Sequence, residues 1–188
     1  MYRGILIISF FLFSGNLYPQ NLSFVKEKIE MTVSDSSFSI IGKYYFLNKS
    51  NKEIVTSFYY PFFINDDYQY PDSILILNED NLPVTYSKSK KGIIFMIKTH
   101  SRDTSEFTAF YRQSTLNKKA EYILTTTQNW NVPLQKAEYI VNLPNSLNLK
   151  SISFQPDSIK NSTSCKTYFI TKENFMPLVN LFVEWERR

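Results

Sequence analysis

Two neighbouring stretches decide the fold: "FVKEKIEMTV", residues 24–33, and "FSIIGKYYFLN", residues 38–48. In an extended chain Val25, Glu27, Ile29, Met31 and Val33 share one orientation, while Lys26, Lys28, Glu30 and Thr32 take the other, a period of two that belongs to a strand. Glu27 alone breaks the apolar face. The second stretch is apolar on both sides, Phe38, Ile40, Tyr44 and Phe46 opposite Ile41, Tyr45 and Leu47, and reads as a central strand covered on two faces. The turn "NKSNK" then leads into "IVTSFYYPF", which closes a hairpin.

The same pattern continues at short intervals. Strands are expected at "SILILN", "VTYSK", "IIFMIKT", "FTAFYRQ" and "AEYILTTT" (residues 120–127), then at "AEYIVNL", "LNLKSISF", "KTYFIT" and "VNLFVEW". Prolines fall near the ends of these runs, where a missing amide donor is tolerated. No window of helical period is long enough to define a helix. The reading is an all-β protein, an antiparallel β-sandwich of about 10–12 short strands. With only four glycines in the chain, Asn, Ser, Asp and Lys must supply most of the turn chemistry. A membrane barrel fits less well, because its strands need about 9–11 residues with a consistent lipid-facing side.

At the N-terminus, Met1-Tyr2-Arg3 precedes the apolar run "GILIISFFLF", which "SGNLYPQN" then interrupts. One cation before an apolar core shorter than the roughly 20 residues of a spanning helix is the layout of a secretory signal peptide. The expected organisation is therefore a signal peptide over residues 1–20 and one β-sandwich domain over 21–188, exported to the periplasm or the extracellular space, with no transmembrane span after cleavage. At 43% hydrophobic, 16% aromatic and 20% charged residues, the chain is too apolar for disorder. The single cysteine, Cys165, excludes an internal disulfide, and a net charge of +4 is too mild for a nucleic-acid partner.

Catalytic patterns are sparse. The only histidine, His100 in "KTHSRDTSE", stands near Ser101 and Asp103 without a nucleophile-elbow pattern, and one His with one distant Cys cannot assemble the usual zinc sets. Two acidic turns, Asp66, Asp67 and Asp72 in "INDDYQYPD" and Glu79 and Asp80 in "NEDN", offer oxygen ligands of the kind calcium prefers, although they match no EF-hand. The 16 Phe, 13 Tyr and 2 Trp are the larger resource. Tyr60, Tyr68, Tyr70 and Trp130 are the candidate ligand-binding rings, since flat amphipathic side chains stack on sugars or anchor protein partners. Core packing is the competing reading of each ring. In "EYILTTTQNWNVPLQKAEYIVNLP", residues 121–144, Trp130 and Pro133 read first as a structural corner and second as a ligand contact.

The segment from Val25 to Phe62, carrying Tyr44, Phe46, Asn48 and Tyr60-Pro61-Phe62, resembles secreted bacterial β-sandwich proteins, including the N-terminal β-domain of inter-alpha-trypsin-inhibitor type. The Trp130 segment is similar to exported bacterial proteins of the same architecture. That resemblance implies no catalytic residue. The functional expectation is a non-enzymatic binding or accessory protein acting on another envelope or secreted protein, with no cofactor. The alternative is a carbohydrate-binding module, or a carbohydrate-active enzyme, using exposed Tyr and Trp with loop carboxylates.

Overall fold

The structure is a computed structural model, and it describes residues 21–188; the expected signal peptide lies outside them. Thirteen strands run through the described residues: β1 (Leu22–Val33), β2 (Ser37–Asn48), β3 (Ile54–Pro61), β4 (Ser73–Leu77), β5 (Tyr86–Ser89), β6 (Gly92–Thr99), β7 (Thr104–Ser114), β8 (Lys119–Tyr122), β9 (Leu134–Pro144), β10 (Leu147–Ile152), β11 (Ser158–Asn161), β12 (Cys165–Phe175) and β13 (Leu181–Arg187). The main sheet has seven strands in the order β11-β12-β9-β1-β2-β7-β4, and two three-stranded sheets, β3-β6-β5 and β10-β13-β8, complete the fold. The two opening stretches of sequence are thus the adjacent strands β1 and β2, at the centre of the large sheet. All pairings are antiparallel except β1 with β9, which runs parallel.

Both small sheets bury their apolar faces against the large one. Phe58 of β3 lies 4.7 Å from Phe46 of β2 and 5.5 Å from Phe107 of β7, ring centre to ring centre. Phe154, just beyond β10, stacks 5.8 Å from Tyr139 of β9. One contiguous core draws on all three sheets.

Two local features differ from the simple alternation. In β1 the register against β2 shifts between Phe24 and Lys26, a bulge that leaves Val25 out of the ladder. Leu22 and Phe24 on one side of the bulge, and Glu27, Ile29, Met31 and Val33 on the other, therefore all face inward. The expected strand over residues 120–127 stops at Tyr122, and Thr125–Trp130 forms a short 3₁₀ helix instead. It ends at Asn131 with φ 55°, the left-handed conformation that Asn tolerates better than most residues. The other non-glycine residues with positive φ are Asn81, Arg102 and Lys118 in turns and Asn174 inside β12, so asparagine and lysine both serve at turns.

The missed strand is β11, "SIKN", whose four residues are all exposed. An edge strand with no buried face has no alternation to read.

Asn48 ends β2 and is fully buried. Its Nδ2 donates to the carbonyls of Lys52 (2.8 Å) and Thr99 (3.3 Å), and its Oδ1 accepts from the Ser50 amide (2.9 Å) and hydroxyl (2.8 Å). Truncation removes four hydrogen bonds from a buried position, one of them to the carbonyl of buried Thr99, so Asn48→Ala is expected to lower stability by about 2 kcal/mol in urea unfolding.

Candidate functional site

The two small sheets do not meet edge to edge over the large one. Between them lies a cleft of about 260 Å³. Phe24, Phe46 and Phe107 of the large sheet and Phe58 of β3 give it aromatic walls, and Trp130 and Thr126 of the 3₁₀ helix stand at its rim. That helix is held in place from the loop before β13: Asn180 Oδ1 accepts from the amide of Leu124 (3.1 Å) and the Thr125 hydroxyl (3.2 Å), and Gln128 Nε2 donates to the Pro177 carbonyl (2.8 Å).

Three phenols converge at the inner end, one from each sheet. The Tyr44 hydroxyl of β2 lies 2.7 Å from that of Tyr60 in β3 and 2.5 Å from that of Tyr122 in β8. Burial raises the pKa of each above its ordinary value, so all three stay protonated. Gly42, two residues before Tyr44 on the same face of β2, leaves the space this ring fills: a Cβ there would lie 2.0 Å from the Tyr44 oxygen.

Glu27 completes the floor. It pairs with Tyr44 across the β1–β2 ladder and with Ala137 across the β1–β9 ladder, and it is 2% exposed. Tyr139 donates a 2.7 Å hydrogen bond to its Oε1, which favours the carboxylate, but desolvation is larger and pushes the pKa up to about 7. Glu27 is the residue that interrupted the apolar face of β1 in the sequence. Its inward orientation follows from the alternation itself.

The four candidate rings separate. Tyr60 and Trp130 both line the cleft. Tyr68 is buried elsewhere, against Phe38 and Phe63, and Tyr70 packs on Phe62 while its hydroxyl donates to the Gly92 carbonyl at 2.8 Å. Tyr44, Tyr122, Tyr139 and Glu27 join the site from positions that no local motif connects. Trp130 does turn the corner between β8 and β9, and its ring sits 5.3 Å from Phe46, so the corner and the cleft wall are the same side chain.

The candidate calcium ligands are not brought together. Asp72 accepts a two-pronged hydrogen bond from Arg112 at 3.0–3.2 Å, Asp67 accepts from Asn117, and Asp66 is exposed. No group of three or more His, Cys, Asp or Glu able to hold a metal occurs among the described residues. Because Arg112 already neutralises Asp72, millimolar calcium is expected to leave the melting temperature unchanged. His100 is an exposed surface residue whose Nε2 lies 2.9 Å from Glu79 Oε1.

No protein-family model matches the chain, and no curated protein matches it either. Solved structures do. A proposed nutrient-binding protein of Legionella pneumophila superposes with a TM-score of 0.69 at 18% identity, over 87% of this chain and 66% of that one. An M1 zinc metallopeptidase of Deinococcus radiodurans gives 0.53 at 10% identity over 88% of this chain, and a variant of it bound to a Tyr-Ser-Ala substrate gives 0.55 at 11% over 90%. The chain spans under two thirds of the first protein and 43–44% of the peptidase chains. At these identities the likeness concerns the fold. With one histidine, this chain cannot itself carry the paired imidazoles of an H-E-x-x-H zinc helix.

Proposed function

We propose that the protein is an exported, non-enzymatic binding module whose ligand enters the cleft where the three sheets meet. The observation that carries this reading is Glu27, an ionisable carboxyl held at the floor of an aromatic cavity. A side chain serving only the core would be apolar there, because burying a carboxyl costs stability that an apolar residue would not. The N-terminal apolar run supports export, and the architecture shared with a proposed nutrient-binding protein is compatible with ligand capture.

An exposed patch that runs on from the cleft supports a protein partner. On the outer face of the β3-β6-β5 sheet, Val55, Tyr59, Ile94 and Met96 are all exposed, Tyr59 stands directly opposite Ile94, and these two also line the cleft. Such a patch beside the cleft mouth fits the accessory role that the sequence implies.

The test is a thermal-shift screen of small polar and apolar metabolites on the wild type and on Thr126→Trp, which fills the cleft mouth from an exposed position. The expected result is a compound class that raises the melting temperature of the wild type alone. Equal shifts in both proteins, or none in the wild type, would refute the cleft as the binding site.

A further inference from the structure

The geometry points to a small organic cation as the ligand: an amine on an apolar or aromatic body, its ammonium against the Glu27 carboxylate and the phenols of Tyr44, Tyr60 and Tyr122, its body between the aromatic walls. This inference rests on the cleft being a binding site and adds the chemical class that fits it.

Three observations converge. Among the described residues that line the cleft there is one carboxyl, Glu27, and no Lys, Arg or His. The only full charge the lining can develop at neutral pH is therefore negative, and the lining holds no cation to balance it. An anionic ligand would meet an uncompensated carboxylate in a desolvated site, whereas an ammonium would supply the missing countercharge. Second, the surround is aromatic: Phe24, Phe46, Phe58 and Trp130 all line the cleft, and an aromatic ring attracts a cation placed over its face. Third, the three phenols can spend their O–H donors on one another, which leaves the inner end of the cleft with acceptor oxygens, the complement of an ammonium; Ser57, Thr126, Thr127 and Asn129 are the other polar side chains of the lining. The volume, about 260 Å³, suits a molecule of modest size.

The groups that face Glu27 from the elements packed around it are Tyr139 on β9, Tyr44 on β2, Tyr60 on β3 and Tyr122 on β8. All four are phenols whose pKa lies above the ordinary value, so none changes charge between pH 5 and 8. Glu27 alone titrates in the site. An ammonium favours its ionised form, so binding releases a proton to solvent when the carboxyl starts protonated. Affinity for the amine should then rise with pH until Glu27 is ionised in the free protein.

The experiment is isothermal titration calorimetry of the protein with a panel of alkyl- and arylamines and their matched alcohols and carboxylates, repeated with Glu27→Gln and Glu27→Asp. At least one amine is expected to bind the wild type about tenfold or more tighter than its alcohol, with the carboxylate weakest. Its affinity should rise about 25-fold from roughly pH 5.5 to 7.5, following the ionised fraction of Glu27. Glu27→Gln should remove both the amine preference and the pH dependence while keeping the native circular dichroism spectrum, and Glu27→Asp should retain part of each. If the alcohols bind as tightly as the amines, or Glu27→Gln leaves amine binding intact, the inference falls and the cleft remains a binding site for neutral ligands. If no member of the panel binds, and the metabolite screen also shows nothing that Thr126→Trp abolishes, both readings fall.

Discussion

Glu27→Gln is expected to make the protein more stable at pH 8 by about 3 kcal/mol and to leave it nearly unchanged near pH 4.5. The sign follows from proton counting. With its pKa pushed from 4.5 up to about 7 in the fold, Glu27 binds more protons in the native state than in the unfolded chain between those two values. Stability from this group is therefore fully present below pH 4.5 and is lost as pH rises through about 7. Gln mimics the protonated form at every pH and can still accept the Tyr139 hydrogen bond, so the variant escapes the loss. For a chain of this size the difference amounts to roughly 8 °C in melting temperature at pH 8. Asp35 acts in a different window: hydrogen bonds from Arg187 and Lys118 hold its carboxyl well below the usual range, so its contribution is lost only in strong acid. Urea unfolding of both proteins at three pH values separates the effects. A constant gap between wild type and Glu27→Gln across pH would show that Glu27 keeps an ordinary pKa, and the argument for a functional carboxyl would go with it.

Gly42→Ala is the second large effect, expected to destabilise by about 3 kcal/mol. The added methyl would lie 2.0 Å from the Tyr44 oxygen, 2.5 Å from Cζ and 2.7 Å from Cε2. The ring has no free direction of retreat, because it stacks on Phe107 at 4.7 Å and its hydroxyl is tied to Tyr60 and Tyr122. Moving it separates three phenols that hold three sheets together, so stability and cleft binding should fall together. A double variant, Gly42→Ala with Tyr44→Phe, should recover little, since the Cζ and Cε2 contacts remain. A single substitution within about 0.5 kcal/mol of wild type would mean that the ring relocates freely and that the cluster is not rigid.

The alternation in β1 and β2 made the all-β class and the central strands legible, and it marked Glu27 as a misfit on a buried face. Most other expected strands also form. Alternation carried no information for β11, which buries nothing, and it misled after Tyr122, where buried Leu124 continues the period of Ala120 and Tyr122 although it only precedes the 3₁₀ helix. Tyr60, Tyr68 and Tyr70 look alike in sequence. Their different surroundings depend on how the loop after β3 folds back on β7, where Gln113 Nε2 donates to the carbonyls of Phe63 (2.7 Å) and Gln69 (2.6 Å).

What the sequence determined by itself is what local periodicity can encode: the strands, their inward faces, and the fact that one inward residue is an acid. Only the tertiary structure decided what that acid meets. Glu27, Tyr44, Tyr60, Tyr122 and Tyr139 come from five strands and three sheets, and the bulge at Val25 places Phe24 on the same face as Glu27. Their convergence depends on long-range pairing, above all the parallel alignment of β1 with β9. Periodicity within a strand reports which way a side chain points, and it holds no record of which strand lies opposite.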